Sequence, residues 1–125
     1  MATIPKNLKY TKEHEWTDIQ DNIATVGITD FAQSSLGDIV FIELPTKGKM
    51  LKKDGTFGVV ESIKSVSDLF SPLSGEVVGV NTNPINSPDQ CNKDPYGSWL
   101  IKIKMSAPSE VNELLTAEKY ENFCH

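Results

Sequence analysis

The stretch Val60-Glu-Ser-Ile-Lys64-Ser-Val-Ser-Asp68 holds the residues best placed to do chemistry. It contains neither Gly nor Pro, yet the runs on either side, Phe57–Ile63 and Ser65–Phe70, are rich in strand formers. A hairpin bend between them falls near Ile63–Val66 and must use ordinary φ/ψ values, as a type I turn does. Lys64 then stands at the tip with its ammonium away from the body, and Ile63 and Val66 are expected to anchor the strands beneath it. A lysine amine on a long flexible stem can be acylated to an amide that is stable in water. A rigid, narrow turn lets a modifying enzyme admit that lysine and reject the rest. A lysine in a turn is also commonly just solvated, and Glu61 and Asp68 read equally as ordinary surface charges. Periodicity alone does not separate these cases.

The elements that must position this segment are short. Ile23–Ile28 and Ile39–Leu44 read as strands, the second stopping at Pro45, and Glu76–Val80 and Trp99–Lys104 read as two more. Thr46–Gly48 and Lys53–Gly55 are turns. Asp30-Phe-Ala-Gln33 fits a capping box with Asp30 as N-cap, and Leu36-Gly37 closes a short helix near 30–36. Gly58 and Gly79, inside strand-like runs, point to bulges or close backbone approach. Residues 81–98 are rich in Asn, Pro, Asp and Gly and read as loop. After Ser106–Ser109, the residues Val111, Leu114, Leu115 and Tyr120 share a helical stripe with a break near Thr116. Six or seven strands at near-regular spacing give a mainly β chain, an antiparallel sandwich or barrel with peripheral helices, in one domain over 1–125.

Charge and composition narrow the chemistry. Lys and Arg number 12 against 17 Asp and Glu, a net charge of −5. That excludes a nucleic-acid binder and suits docking on basic partners. No apolar run reaches the roughly 18 residues a membrane helix needs. The N-terminal Met-Ala-Thr-Ile-Pro-Lys-Asn lacks the apolar stretch of a signal peptide, so the expected location is the cytoplasm, or the mitochondrial matrix if a transit peptide has been removed. Cys91 and Cys124 form no CxxC motif, and a two-histidine zinc pair would require His14 to meet His125, so no metal is expected. His14 reads as a structural hydrogen-bond partner, because no motif places a Ser or Cys nucleophile with it. Trp16 and Trp99 read as packing aromatics. No Gly-x-Ser-x-Gly motif or paired carboxylates suggest hydrolysis, and no residue is singled out as catalytic.

Val-Glu-Ser-Ile-Lys-Ser-Val-Ser-Asp resembles the lipoylation segment of the glycine cleavage H-protein family. Further blocks stand in that family's order: Tyr10-Thr-Lys-Glu-His-Glu-Trp16, Val26–Asp30, Ala32-Gln33, Leu36–Val40, Glu43-Leu-Pro45, Ser71–Val77, Asn92–Tyr96 and Trp99–Lys104. The tail from Pro108 to Tyr120 agrees as well, and the similarity spans roughly residues 8–123. The resemblance implies a barrel-sandwich hybrid with lipoic acid in amide linkage on Lys64. Lysine plus lipoyl makes an arm of about ten bonds, on the order of 14 Å, which raises the effective concentration of its cargo at each docked site. It further implies a shuttle. Glycine decarboxylase, a pyridoxal phosphate enzyme, would leave an aminomethyl group on the dithiolane. Aminomethyltransferase would free ammonia and pass the carbon to tetrahydrofolate. Dihydrolipoamide dehydrogenase would reoxidise the dithiol. A lipoate ligase or a lipoyl or octanoyl transferase would attach the group. The loaded arm in this family folds back into a surface cleft, where Glu15 and Asp68 match polar positions, with Glu61 beside them as a candidate recognition residue.

Three departures from the family pattern stand out. Phe31 occupies a place where many members have His or Tyr. Tyr96-Gly-Ser-Trp99 is one residue short, and Asp89-Gln-Cys91 is unusual where the family tends to be apolar. The alternative on the same fold is a relay protein that donates lipoyl groups to other lipoyl domains. A 2-oxoacid dehydrogenase lipoyl domain fits less well, since Glu-Ser-Ile rather than Asp precedes the lysine. A biotin carrier is disfavoured because Ile63 and Ser65 replace its flanking methionines.

Overall fold

The structure is a computed structural model in which residues 2–124 are described; Met1 and His125, the latter one half of the zinc pair considered above, lie outside them. Two antiparallel sheets form from strands whose side chains alternate between a shared core and solvent. Sheet one has six strands in the order β1-β2-β3-β9-β8-β5, and sheet two has three in the order β4-β6-β7. The strands are β1 (Lys9–Tyr10), β2 (Glu15–Gln20), β3 (Ile23–Ile28), β4 (Ile39–Glu43), β5 (Met50–Leu51), β6 (Thr56–Ser62), β7 (Val66–Phe70), β8 (Gly75–Val80) and β9 (Ile101–Met105). Four short helices complete the chain: α1 (Asp30–Leu36), α2 (Asn83–Asn86), α3 (Gln90–Lys93) and α4 (Ala117–Glu121), with a 3-10 turn at Pro108–Glu113. The mainly β reading, the helix near 30–36 and the helical tail broken before Thr116 all hold. The sheets do not close, and the architecture is that of a barrel-sandwich hybrid.

The main core lies between the sheets and draws on Val26, Ile42, Val60, Leu69, Val77 and Ile103. Each such burial stabilises by roughly 2 kcal/mol before chain entropy is set against it. Gly58 sits at a register shift between β6 and β7, and a Cβ there would run into the carbonyl oxygen of Glu43. Gly79 sits at a second shift, between β8 and β9. Both glycines therefore do what their place in the sequence indicates.

Three readings need correction. The N-cap of α1 is Thr29, not Asp30: Thr29 is extended, and its hydroxyl accepts from the Ala32 N–H at 3.1 Å. The Thr29 N–H is committed to His14 O at 3.0 Å, which carries the β-type backbone one residue further and makes Asp30 the first helical residue. Gln33 then bonds the Asp30 carboxylate at 2.8 Å and no reciprocal box forms. Residues 81–98 are not loop throughout, because α2 and α3 lie within them. Each of these helices buries one residue, Pro84 or Cys91, too little to leave a periodic signature. The strand count is nine among the described residues, because β1 and β5 are two residues long and β2 carries Glu15 and Asp18 in an otherwise readable strand.

A second cluster fastens the tail. Tyr120 is fully buried and stacks on Tyr10 with ring centroids 4.6 Å apart. Its hydroxyl lies 2.7 Å from both His14 Nδ1 and Thr29 Oγ1. Trp16 is buried in the same cluster and donates its indole N–H to Pro95 O at 3.1 Å, as expected of a packing aromatic. Removing the Tyr120 hydroxyl takes away the partner of the half-buried His14 Nδ1 and one of the two partners of the buried Thr29 hydroxyl. Tyr120→Phe is therefore expected to destabilise by about 2 kcal/mol and to lower Tm by roughly 6–10 °C. Thermal unfolding followed by circular dichroism measures this, and an unchanged Tm would show that the hydroxyl contributes nothing.

Candidate functional site

The β6–β7 hairpin is built from alternation and one serine. Val60 and Leu69 point into the core, 2% and 3% exposed. The register Glu61↔Val66 leaves Ser62–Ser65 to make the turn. The Ser62 N–H donates to Ser65 O at 2.8 Å, and the Ser62 hydroxyl accepts from the N–H groups of both Lys64 and Ser65 at 3.2 Å. That hydroxyl takes bonds a tighter turn would give to a carbonyl, so no glycine is needed. Neither Ile63 nor Lys64 has a positive φ, as a bend without glycine requires. The Ile63 N–H reaches out of the hairpin to Asp38 O at 3.0 Å and straps the tip to the turn after α1.

Ile63 and Val66 do not anchor the strands. They are 69% and 66% exposed, and Val60, Leu69 and Ile42 do the anchoring. The reason is the alternation: with Val60 inside, Glu61 and its partner Val66 face out, and Ile63 rides on the tip. Lys64 is exposed and forms no ion pair among the described residues.

Beside the hairpin runs a surface cleft of about 360 Å³, with α1 on one side and the edge strand β7 on the other. Ser35, Leu36 and Ala32 line it from the helix, Ser67, Asp68 and Leu69 from the strand, and His14 and Glu15 from the start of β2. Glu15 and Asp68 are thus brought to one cavity. Glu61 is not: it pairs across the sheet with Phe41 and Val66, away from the cleft. Phe31 does not line the cleft either; its ring packs against His14 at 4.7 Å and borders a separate hollow with Ile4 and Cys124. The shortened turn before Trp99 is closed by the Gly97 N–H on Asp94 and lies outside the cleft.

Glu15 is the unusual group. Its side chain sits in a residue only 2% exposed. One carboxylate oxygen accepts from the Thr11 hydroxyl at 2.6 Å and the other from the Phe70 N–H at 3.3 Å. Burial outweighs these bonds and pushes its pKa up to about 7. His14, half-buried with φ +73°, is held below its ordinary pKa by burial. Cys91 is fully buried in the core, and burial pushes its thiol up to about 12, which makes it a packing residue. The sequence does not single out Asn92. Its amide donates to Gly37 O at 2.8 Å and Gln33 Oε1 at 3.0 Å and accepts from the Ile39 N–H at 2.9 Å. The only signal for it is its place in the Asn92–Tyr96 block, where it looks like any loop asparagine.

Residues 8–125 match the family model described as Glycine cleavage H-protein. A glycine cleavage system H protein of Carboxydothermus hydrogenoformans is 55% identical over 97% of this chain and 94% of that protein. One from Symbiobacterium thermophilum is 54% identical over 98% of this chain and 97% of its own length. The crystal structure of a glycine cleavage system H protein from Mycobacterium marinum superposes with a TM-score of 0.89 at 43% identity, covering 95% of this chain and 97% of the other.

A carboxyl held above its ordinary pKa binds its proton more tightly folded than unfolded. Its contribution to stability therefore falls as pH rises from the ordinary carboxylate range through about 7, and is level above. Glu15→Gln mimics the protonated carboxyl without the charge: its one amide oxygen can accept from the Phe70 N–H while its NH2 donates to the Thr11 hydroxyl. The variant is expected to match the parent near pH 4 and to exceed its stability above pH 7 by as much as about 3 kcal/mol. Denaturant unfolding across pH 4–8 reads the difference, and a variant less stable than the parent at pH 8 contradicts this account of Glu15.

Proposed function

The chain belongs to the glycine cleavage H-protein family, and from that membership we propose that Lys64 carries a lipoyl group in amide linkage as the mobile arm of a glycine cleavage shuttle. The observation that carries the reading is the juxtaposition of an exposed lysine on a strapped, glycine-free hairpin with a cleft that ends at a buried carboxyl. The cleft volume is within the range of small-ligand pockets. Its walls are apolar at Leu36, Val60 and Leu69 and acidic at Glu15 and Asp68, which suits a hydrocarbon arm ending in a cation.

When bound, the dithiolane supplies the sulfur chemistry that accepts and releases an aminomethyl group. The chain's own residues do the rest. The hairpin holds the Lys64 stem at a fixed place, and the cleft walls keep water from the docked arm. Burial holds the Glu15 carboxyl well above the ordinary carboxylate range, at about 7. A cation arriving in the cleft favours its ionised form, so the carboxyl gives up its proton and pairs with the incoming charge. Asp68, on the edge strand, lines the same cleft from its rim.

The partners in this reading are glycine decarboxylase, aminomethyltransferase and dihydrolipoamide dehydrogenase, with a lipoate ligase or a lipoyl or octanoyl transferase as the modifying enzyme and Glu61 as part of what it recognises. The chain is the substrate-bearing component and not itself an enzyme. No helix among the described residues is long and apolar enough to cross a membrane, and the relatives compared above are bacterial; a cytoplasmic location belongs to the proposal.

Co-expression with a lipoate ligase and free lipoate, followed by intact mass and peptide mapping, tests the reading. One lipoyl adduct is expected, on Lys64. Lys64→Arg should fold normally, because the residue is exposed and keeps its charge, yet take no adduct and support no glycine cleavage, since a guanidinium does not form the amide. Adduct formation elsewhere, or cleavage supported by the Arg variant, would defeat the assignment.

A further inference from the structure

Lys64 does not project freely from the hairpin. Its Cε lies 3.3 Å from the point a Cβ on Gly37 would occupy, and its Cδ and Nζ lie 3.9 Å from it. The stem thus runs across the bare Cα of the residue that caps α1. Two sets of bonds fix this meeting at the backbone. Asn92 holds the capping turn from below, through Gly37 O, the Gln33 side chain and the Ile39 N–H. The Ile63 N–H holds the hairpin tip to Asp38 O, one residue beyond Gly37 on one side and one residue before Lys64 on the other. The two residues before Gly37, Ser35 and Leu36, already line the cleft. A stem that crosses Gly37 therefore leaves the hairpin on the cleft side.

We infer that Gly37 is a positioning residue: its missing side chain is the saddle that seats the Lys64 stem and starts the arm toward the cleft, with Asn92 as the clasp that holds the saddle still. The arm itself rests on the reading of Lys64 given above. Gly37 has φ +79°, which alone accounts for a glycine at a helix cap. The backbone role and the saddle role separate experimentally. Gly48 also has a left-handed φ, +95°, but a Cβ there meets nothing within 4 Å. Gly48→Ala also places a Cβ on a backbone of positive φ, without touching the lysine. At Gly37 the atom met by an added Cβ belongs to the flexible lysine stem, so the stem is displaced in addition to the backbone strain that any side chain meets at φ +79°.

The first measurement needs no lipoyl group. In the unmodified protein, nuclear Overhauser contacts between the Lys64 ε-protons and the Gly37 α-protons are expected in the parent and in Gly48→Ala. In Gly37→Ala the contact from the Lys64 ε-protons to the remaining α-proton of that position is expected to disappear. The second measurement uses lipoylated protein loaded with glycine-derived cargo and follows its half-life against hydrolysis. Gly37→Ala is expected to shorten the half-life by roughly tenfold, the scale of effect that a small misplacement of a reacting group produces. Gly48→Ala should leave it as in the parent although its Tm falls. If Gly37→Ala does not fold, Asn92→Asp takes its place: it keeps the acceptor for Ile39 but turns two donor bonds into repulsions, and should shorten the half-life likewise. The inference is overturned if the parent lacks the Lys64–Gly37 contact, if the half-life survives Gly37→Ala or its substitute, or if Gly48→Ala shortens it equally. An absent adduct on parental Lys64 would defeat the lipoyl reading, and the contact in unmodified protein would still decide the saddle.

Discussion

The place of Lys64 depends on the burial of Val60 and Leu69. A strand alternates its faces with a period of two, so a slip of one residue would carry both side chains from the core to water. At roughly 2 kcal/mol for each aliphatic side chain, that slip is strongly disfavoured. The register that survives pairs Glu61 with Val66 and leaves four residues, Ser62 to Ser65, to reverse the chain. The lysine is at the tip because two apolar residues several positions away have to be inside. The Ile63–Asp38 strap and the Ser62 hydroxyl then turn a favoured register into a single tip geometry. Lys64 is fixed by packing it takes no part in.

Much of this is legible in the sequence, and the parts that are not share a cause. Ile39–Glu43, Glu76–Val80 and the region around Ile101 announce themselves because apolar residues dominate them. The β2 strand does not, since its buried Glu15 and half-buried Asp18 look like surface charges. Thr29 is hidden as a cap because a better-known signature begins one residue later, and only the tertiary bond to His14 O decides between the two. Hydrophobicity alone makes Ile63 and Val66 look like anchors, whereas their exposure follows from a register the sequence does not state. Lys64 itself is set apart by a family resemblance and not by spacing. The cleft, the saddle at Gly37 and the three bonds of Asn92 arise from residues far apart in the chain, so no local pattern contains them.

The cleft is also where the fold gives up stability. A carboxyl buried against two donors, with its pKa pushed up to about 7, is a poor structural element. A neutral side chain at position 15 would suit the folded state better at neutral pH. Sites whose local chemistry conflicts with the surrounding fold are the expected locations of function. In the proposed function the conflict is resolved when a cation docks, since the same burial that disfavours the carboxylate strengthens its attraction for a partner charge. Strain at His14, whose φ is +73°, lies next to it in sequence, so one end of the cavity concentrates both electrostatic and backbone cost.

The tie between Tyr120 and His14 joins the last helix to a wall of the cleft made by residues near the start of the chain. On the ribosome these two ends appear at opposite times. The hairpin's buried residues find their core once β9 has followed β6 and β7 out of the exit tunnel, whereas His14 and Thr29 wait for the later Tyr120 hydroxyl that fixes them. The growing chain thus presents its lysine before it owns a finished shelter for the arm. On the proposed reading, an enzyme that reads only the hairpin has a substrate before Tyr120 docks, whereas an enzyme that needs the arm sheltered has none until Tyr120 has docked.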